Sequence, residues 1–221
     1  MIQKAKFNPF VQNGYPTSDG RPMAETDFHR DLMFDLIDVL KHRYAADPNV
    51  YVSGDLLIFY EEGDKWRHVA PDVFVVKGVP NGQRPNYLLW KEGKGPDVVI
   101  EVTSKTTKSE DLKKKPDLYR TKLGVQEYFL FDPTEDYLSP SLQGYRRVRG
   151  EFRPVKVVGG RLQSKVLGLH LEREGQVLRL WDPAARKWLP TPAERETAVR
   201  AENERLRREI EELRRKLGGG T

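Results

Sequence analysis

The chain has 221 residues, 38% of them apolar and 32% charged, enough for one globular domain with an appendage. Cysteine is absent, which excludes a disulfide framework, a thiolate zinc site and a cysteine nucleophile. Residues 1–22 lack a secretory pattern and no run approaches the roughly 20 apolar residues of a membrane helix, so a cytoplasmic protein is expected, and the net charge of +5 leaves room for a polyanionic partner.

Residues 1–22, rich in Asn, Gly, Pro and Ser, read as an irregular arm that packs through Phe7, Phe10 and Tyr15. From Met23 to about Tyr44 the pattern turns helical, with Phe28, Leu32, Leu36, Val39 and Leu40 on one stripe. Glu25 and His29 stand at the N-terminal end of that stripe. Glu25 is either a first-turn acid favoured by the helix dipole or an active-site acid, and His29 reads as a packing histidine rather than a ligand. A strand is expected over Val50–Tyr60 and another over Asp72–Val76. Asp72 shares a face with Phe74 and Val76, so it is an acid at the mouth of an apolar strand, or else a turn residue after Pro71. The Gly- and Pro-rich stretch 77–96 is a surface excursion with a short element at Tyr87–Trp90.

The next strand, Asp97–Thr103, organises the rest. Val98, Ile100 and Val102 point to one face, while Asp97, Val99, Glu101 and Thr103 point to the other. A charged Glu101 inside such a strand is costly unless a cation or donors meet it, so a metal ion or a lysine is expected beside it. A basic helix follows and ends at Gly124, a suitable C′ residue. Pro116 requires that the regular helix begin near Lys115 or kink there. Lys115, Tyr119 and Lys122 are expected on one side by their spacing. Glu127–Asp132 is the next strand, and strand, helix, strand in this order makes a crossover between parallel neighbours. Gly144–Leu180 reads as hairpins turning at Arg149-Gly150, Gly159-Gly160 and Glu174-Gly175.

Thr191-Pro192-Ala193-Glu194 is a capping-box pattern that opens a C-terminal helix. Asn203, Ile210 and Leu217 fall at heptad position a, and Val199, Leu206 and Leu213 at d, a coiled-coil seam that suits a parallel dimer, so the helix is expected to form a homodimer or higher homo-oligomer rather than to lie on its own domain. The expected organisation is an N-terminal arm at 1–22, a globular domain at 23–190 and a coiled-coil helix at 191–221.

Asp72 and Glu101, converging from adjacent strands, make an oxygen-rich site for a hard cation such as Mg2+ or Mn2+, and a lysine nearby adds charge where a phosphodiester transition state becomes more negative. Asp97 is excluded from the same ion, because four residues of strand separate it from Glu101 by roughly 13 Å. A carboxylate-pair glycosidase fits the basic charge balance less well than a phosphate substrate.

Pro71-Asp72 followed by Glu101-Val102-Thr103 resembles the PD-(D/E)xK nuclease superfamily. The fuller run, PDVFVV, then PDVVIEVTS, a helix with Lys115 and Tyr119, and GVQEYFLFDP, resembles the large bacterial family described as "putative restriction endonucleases", over about residues 23–180. The resemblance implies a restriction-endonuclease-like α/β fold, a mixed sheet flanked by helices. It also implies Asp72 and Glu101 as metal ligands, Glu25 as the acid of the first helix, and DNA as substrate. One departure stands out: the place of the superfamily lysine, two residues after the glutamate, is Thr103. The resemblance implies Lys115 as the replacement; Lys113 and Lys114 are alternatives, and so is a merely solvated basic face. The competing reading is a nuclease-fold DNA-binding or assembly module without catalysis.

Overall fold

The computed structural model describes residues 11–18, 26–103 and 110–218, and it divides into two compact units, Met1–Leu189 and Pro190–Thr221. Phe7, Phe10 and Glu25 lie outside the described residues. Of the arm, Val11–Gln12 pairs with Tyr15–Pro16, and the Tyr15 ring packs on Phe59 and Trp90 at centroid distances of 4.9 and 5.2 Å.

Helix α1, Asp27–Arg43, begins where the Thr26 side chain accepts a hydrogen bond from the His29 amide. Its buried face is His29, Leu32, Met33, Leu36, Ile37, Val39 and Leu40. Phe28, expected on that stripe, is exposed instead. The buried arc is centred on Leu36 and Leu40, and at about 100° per residue Phe28 falls just beyond its edge.

A six-stranded sheet carries β1 (Val50–Ser53), β2 (Val73–Lys77), β3 (Val98–Val102), β4 (Glu127–Phe131), β5 (Leu142–Val148) and β6 (Glu151–Pro154), side by side in chain order. Strands β3 and β4 are parallel and the other neighbours antiparallel. Residues 110–123 between them form helix α2, which supplies the expected crossover. The single strand expected over Val50–Tyr60 is broken at Gly54, and Ile58–Phe59 joins a small sheet with His68–Val69 and Tyr87–Leu88. The break has a steric cause: a Cβ on Gly54 would lie 1.9 Å from the Asp72 carbonyl oxygen, so the backbones cross where no side chain fits.

The alternation expected for β3 holds, yet both faces of its sheet are buried. Val98, Ile100 and Val102 join Val73, Val75, Phe129 and Phe131 against α1 and a second sheet. On the other face Val99, Phe74, Val76, Tyr128 and Leu130 pack with Tyr119 and Leu123 of α2. Strands covered on both sides read as continuous apolar runs, which explains VFVV and VVI around a lone glutamate. The second sheet, β7 (Val157–Val158), β8 (Arg161–Ser164), β9 (Leu169–Glu174), β10 (Val177–Asp182) and β11 (Lys187–Trp188), is an antiparallel meander. Positive φ at both Arg149-Gly150 and Gly159-Gly160 gives the tight turns their hairpin twist.

The second unit is helix α3, Pro192–Gly218. Thr191 and Glu194 close a reciprocal capping box: the Glu194 carboxylate accepts from the Thr191 amide at 2.8 Å, and the Thr191 hydroxyl accepts from the Glu194 amide at 3.2 Å. Among the described residues no helix is long and apolar enough to cross a membrane.

Candidate active site

Strands β2 and β3 bring the two acids together. Their register pairs Val73 with Ile100 and Phe74 with Val99, so one step further Asp72 stands opposite Glu101. Directly opposed residues share a face of the sheet, and the contacts agree. The Val102 amide donates to Asp72 Oδ2 at 2.7 Å, and the Asp72 amide donates to Glu101 Oε2 at 3.4 Å. Each acid is therefore held by the backbone of the other strand.

Helix α2 completes the site. Lys115 Nζ lies 3.0 Å from Glu101 Oε2, and the Tyr119 hydroxyl donates to Glu101 Oε1. The cation expected beside Glu101 is thus a lysine. The two residues stand one turn apart because Lys115–Leu118 is α-helical, while Glu110–Lys114 before it and Tyr119–Leu123 after it are π-helical. Pro116 has no amide to donate, and the regular turn starts at Lys115, beside it. The π-turn also accounts for a miss: Lys122, expected alongside Lys115 and Tyr119, is exposed, and Leu123 takes the buried place. Gly124, with φ 69°, returns its amide to the Tyr119 carbonyl as the cap expected of it. Lys113 and Lys114 are exposed.

Burial grades the site from inside to outside. The Glu101 side chain is 1% exposed, whereas Asp72 and Lys115 keep 15% and 16%. The site therefore opens to solvent on the Asp72 and Lys115 side. Burial, then the charge of Glu101, pushes the Tyr119 phenol well above its ordinary range, so it remains a proton donor to the carboxylate. His29, read from sequence as a packing residue, is buried on α1 and also places Nε2 3.5 Å from Asp72 Oδ2. Its signal was present in its place on the apolar stripe, but a stripe cannot say which strand end it faces. Thr103 is buried with its hydroxyl on the Phe131 carbonyl, so it supplies no charge here. Asp97, at the far end of β3, accepts from the Lys77 amide and pairs with Lys94.

A hard divalent ion needs one or two carboxylates and keeps its remaining places for water. The residues fit that demand. Among the described residues the contacts of the Asp72 carboxylate fall on Oδ2, and its Oδ1 carries none. Among the same residues no three His, Asp or Glu side chains form a closed cage, so an ion here would rest on the two acids and solvent.

A model of the Uma2 family, described as "Putative restriction endonuclease", matches residues 14–178, a span that contains all of these side chains. The chain belongs to this family. Among solved structures it is similar to the crystal structure of "a putative nuclease belonging to DUF820" from Anabaena variabilis, with 17% identity, a TM-score of 0.47, and coverage of 65% of this chain and 75% of that one. No curated protein matches it. For a Uma2 family member, the site is built from β2, β3, α1 and α2 of the six-stranded sheet, within the matched span.

Proposed function

We propose that this Uma2 family member is a divalent-metal-dependent endonuclease that hydrolyses phosphodiester bonds in DNA, with Mg2+ or Mn2+ held by Asp72 and Glu101. The observation that carries the reading is the opposed pair of carboxylates on β2 and β3 with an ammonium 3.0 Å from one of them. When bound, the ion supplies Lewis acidity to a phosphoryl oxygen and lowers the pKa of an attacking water. The protein supplies position. Val102 fixes one oxygen of Asp72 and leaves the other to ligate, and Tyr119 fixes the rotamer of Glu101. Lys115, on the solvent side, orients the water or meets the growing phosphate charge. His29 positions Asp72, and Glu25 assists a ligand or a second ion.

A second reading, a DNA-binding or assembly module without chemistry, is favoured by one fact: both oxygens of Glu101 already have protein partners. Titration of Mg2+ and Mn2+ into wild type and Glu101→Gln by calorimetry, alongside plasmid nicking, separates the two. The nuclease reading expects metal binding and nicking by wild type and the loss of both in the variant. Salt-sensitive DNA binding that ignores metal, with no nicking at any salt or temperature tried, overturns it.

A further inference from the structure

Helix α3 carries a charge pattern that its apolar seam does not require. With Asn203, Ile210 and Leu217 at a, the g positions are Arg195, Glu202, Glu209 and Lys216, and the e positions are Arg200, Arg207 and Arg214. In a parallel, in-register pair each g residue faces the e residue of the following heptad on the other helix. Glu202 then meets Arg207 and Glu209 meets Arg214, on both sides of the seam, and the one like-charge contact, Arg195 with Arg200, falls at the N-terminal end ahead of it. An antiparallel pair instead sets e against e, which is Arg on Arg throughout, and g against g, where Glu209 meets Glu209 and only Glu202 finds a cation, Lys216. Pairs within the helix already use Glu196 with Arg200, Glu202 with Arg205, Glu211 with Arg215 and Glu212 with Lys216. Those ion pairs leave out Arg207, Glu209 and Arg214, although Glu209 acts electrostatically on Arg205, and Val199, Leu206, Ile210, Leu213 and Leu217 are exposed.

We infer that the occupant of this seam is a second copy of the same helix, parallel and in register. Three features select that partner together. Leu206 and Leu213 at d around the β-branched Ile210 at a favour two parallel strands, Asn203 finds its partner only in another Asn203 at the same level, and both Glu–Arg pairs close only in that orientation. The inference stands on α3 alone and does not depend on the nuclease reading.

The test uses the full chain. Sedimentation equilibrium of wild type gives a dimer in the micromolar range. Glu202→Arg with Glu209→Arg turns every g–e contact repulsive and weakens dimerisation on the order of 100-fold. Arg207→Glu with Arg214→Glu does the same alone, and mixing the two variants restores a dimer. Orientation is read by disulfide formation, which the absence of native cysteine makes clean. Leu217→Cys links to itself in a parallel pair, whereas in an antiparallel pair it links only to Val199→Cys. A wild-type monomer throughout that range, or a cross-link only in the mixture, overturns the inference.

Discussion

A carboxylate as enclosed as Glu101 depends on what meets it, and here one oxygen takes the Tyr119 hydroxyl and the other the Lys115 ammonium. Tyr119→Phe leaves Oε1 without that donor in the same shape of cavity, which costs about 1–3 kcal/mol in urea unfolding. Lys115→Met removes the cation and costs about 3 kcal/mol, toward the lower end for a broken buried pair because Lys115 keeps some solvent. In combination with Glu101→Gln the loss shrinks, since no uncompensated charge remains, and a double-mutant cycle reads that coupling. A simple additive sum would show that the pair is not what holds this corner. Asp132 gives the pH dependence. Burial pushes its carboxyl up, but the amides of Tyr137, Leu138 and Thr134 and the Thr134 hydroxyl outweigh burial and hold it below the ordinary carboxylate range. A group depressed in the folded state contributes its full stability above its unfolded pKa of about 4, and loses it as pH falls through the folded value. Melting temperatures of wild type and Asp132→Asn should therefore converge below pH about 4, while a constant gap would assign the effect to packing.

At the scale of elements, the site depends on where two backbones cross. Gly54 follows β1 and leaves no room for a Cβ against Asp72 and the Ile37 side chain. Gly54→Ala must displace the Asp72 backbone from its place opposite Glu101, costing about 1–3 kcal/mol and, on the proposed metal-dependent reading, weakening metal binding measured by calorimetry. Unchanged affinity would show that the crossing and the site are uncoupled. This crossing was not legible in the sequence, where Val50–Tyr60 reads as one strand, because a close approach of chains far apart in sequence leaves only a glycine behind. The strands themselves were legible: VFVV and VVIEV announce buried elements, and the glutamate within the second announces a partner. Helix α2 was legible at its C-terminal end, through Gly124, and in the irregularity at Pro116, but not in the π-turns on either side of that proline. Those arise from tertiary packing of Tyr119 and Leu123 under the sheet, and they decide that Lys115 faces Glu101 while Lys122 does not. His29 was visible as a stripe residue, and only the fold shows that the stripe ends beside Asp72.

At the scale of the whole molecule, one chain carries one pair of acids, Asp72 and Glu101, and a duplex has two strands to cut. On the proposed nuclease reading, a single such site breaks one phosphodiester per encounter. If α3 pairs in parallel, two sites are tethered at the same end of one coil, so a second cut near the first becomes an event within one complex at a raised effective concentration. Wild type should then convert supercoiled plasmid to linear product with little accumulation of the nicked circle. The full-length variant Glu202→Arg with Glu209→Arg keeps every residue of the Met1–Leu189 unit, so its thermal unfolding and its first-nick rate should match wild type at saturating enzyme. Its product should be nicked circle, with linear DNA appearing later and in proportion to random second hits. A variant that linearises as directly as wild type would separate double-strand cutting from the helix, and would leave α3 a partner-binding element unconnected with the chemistry.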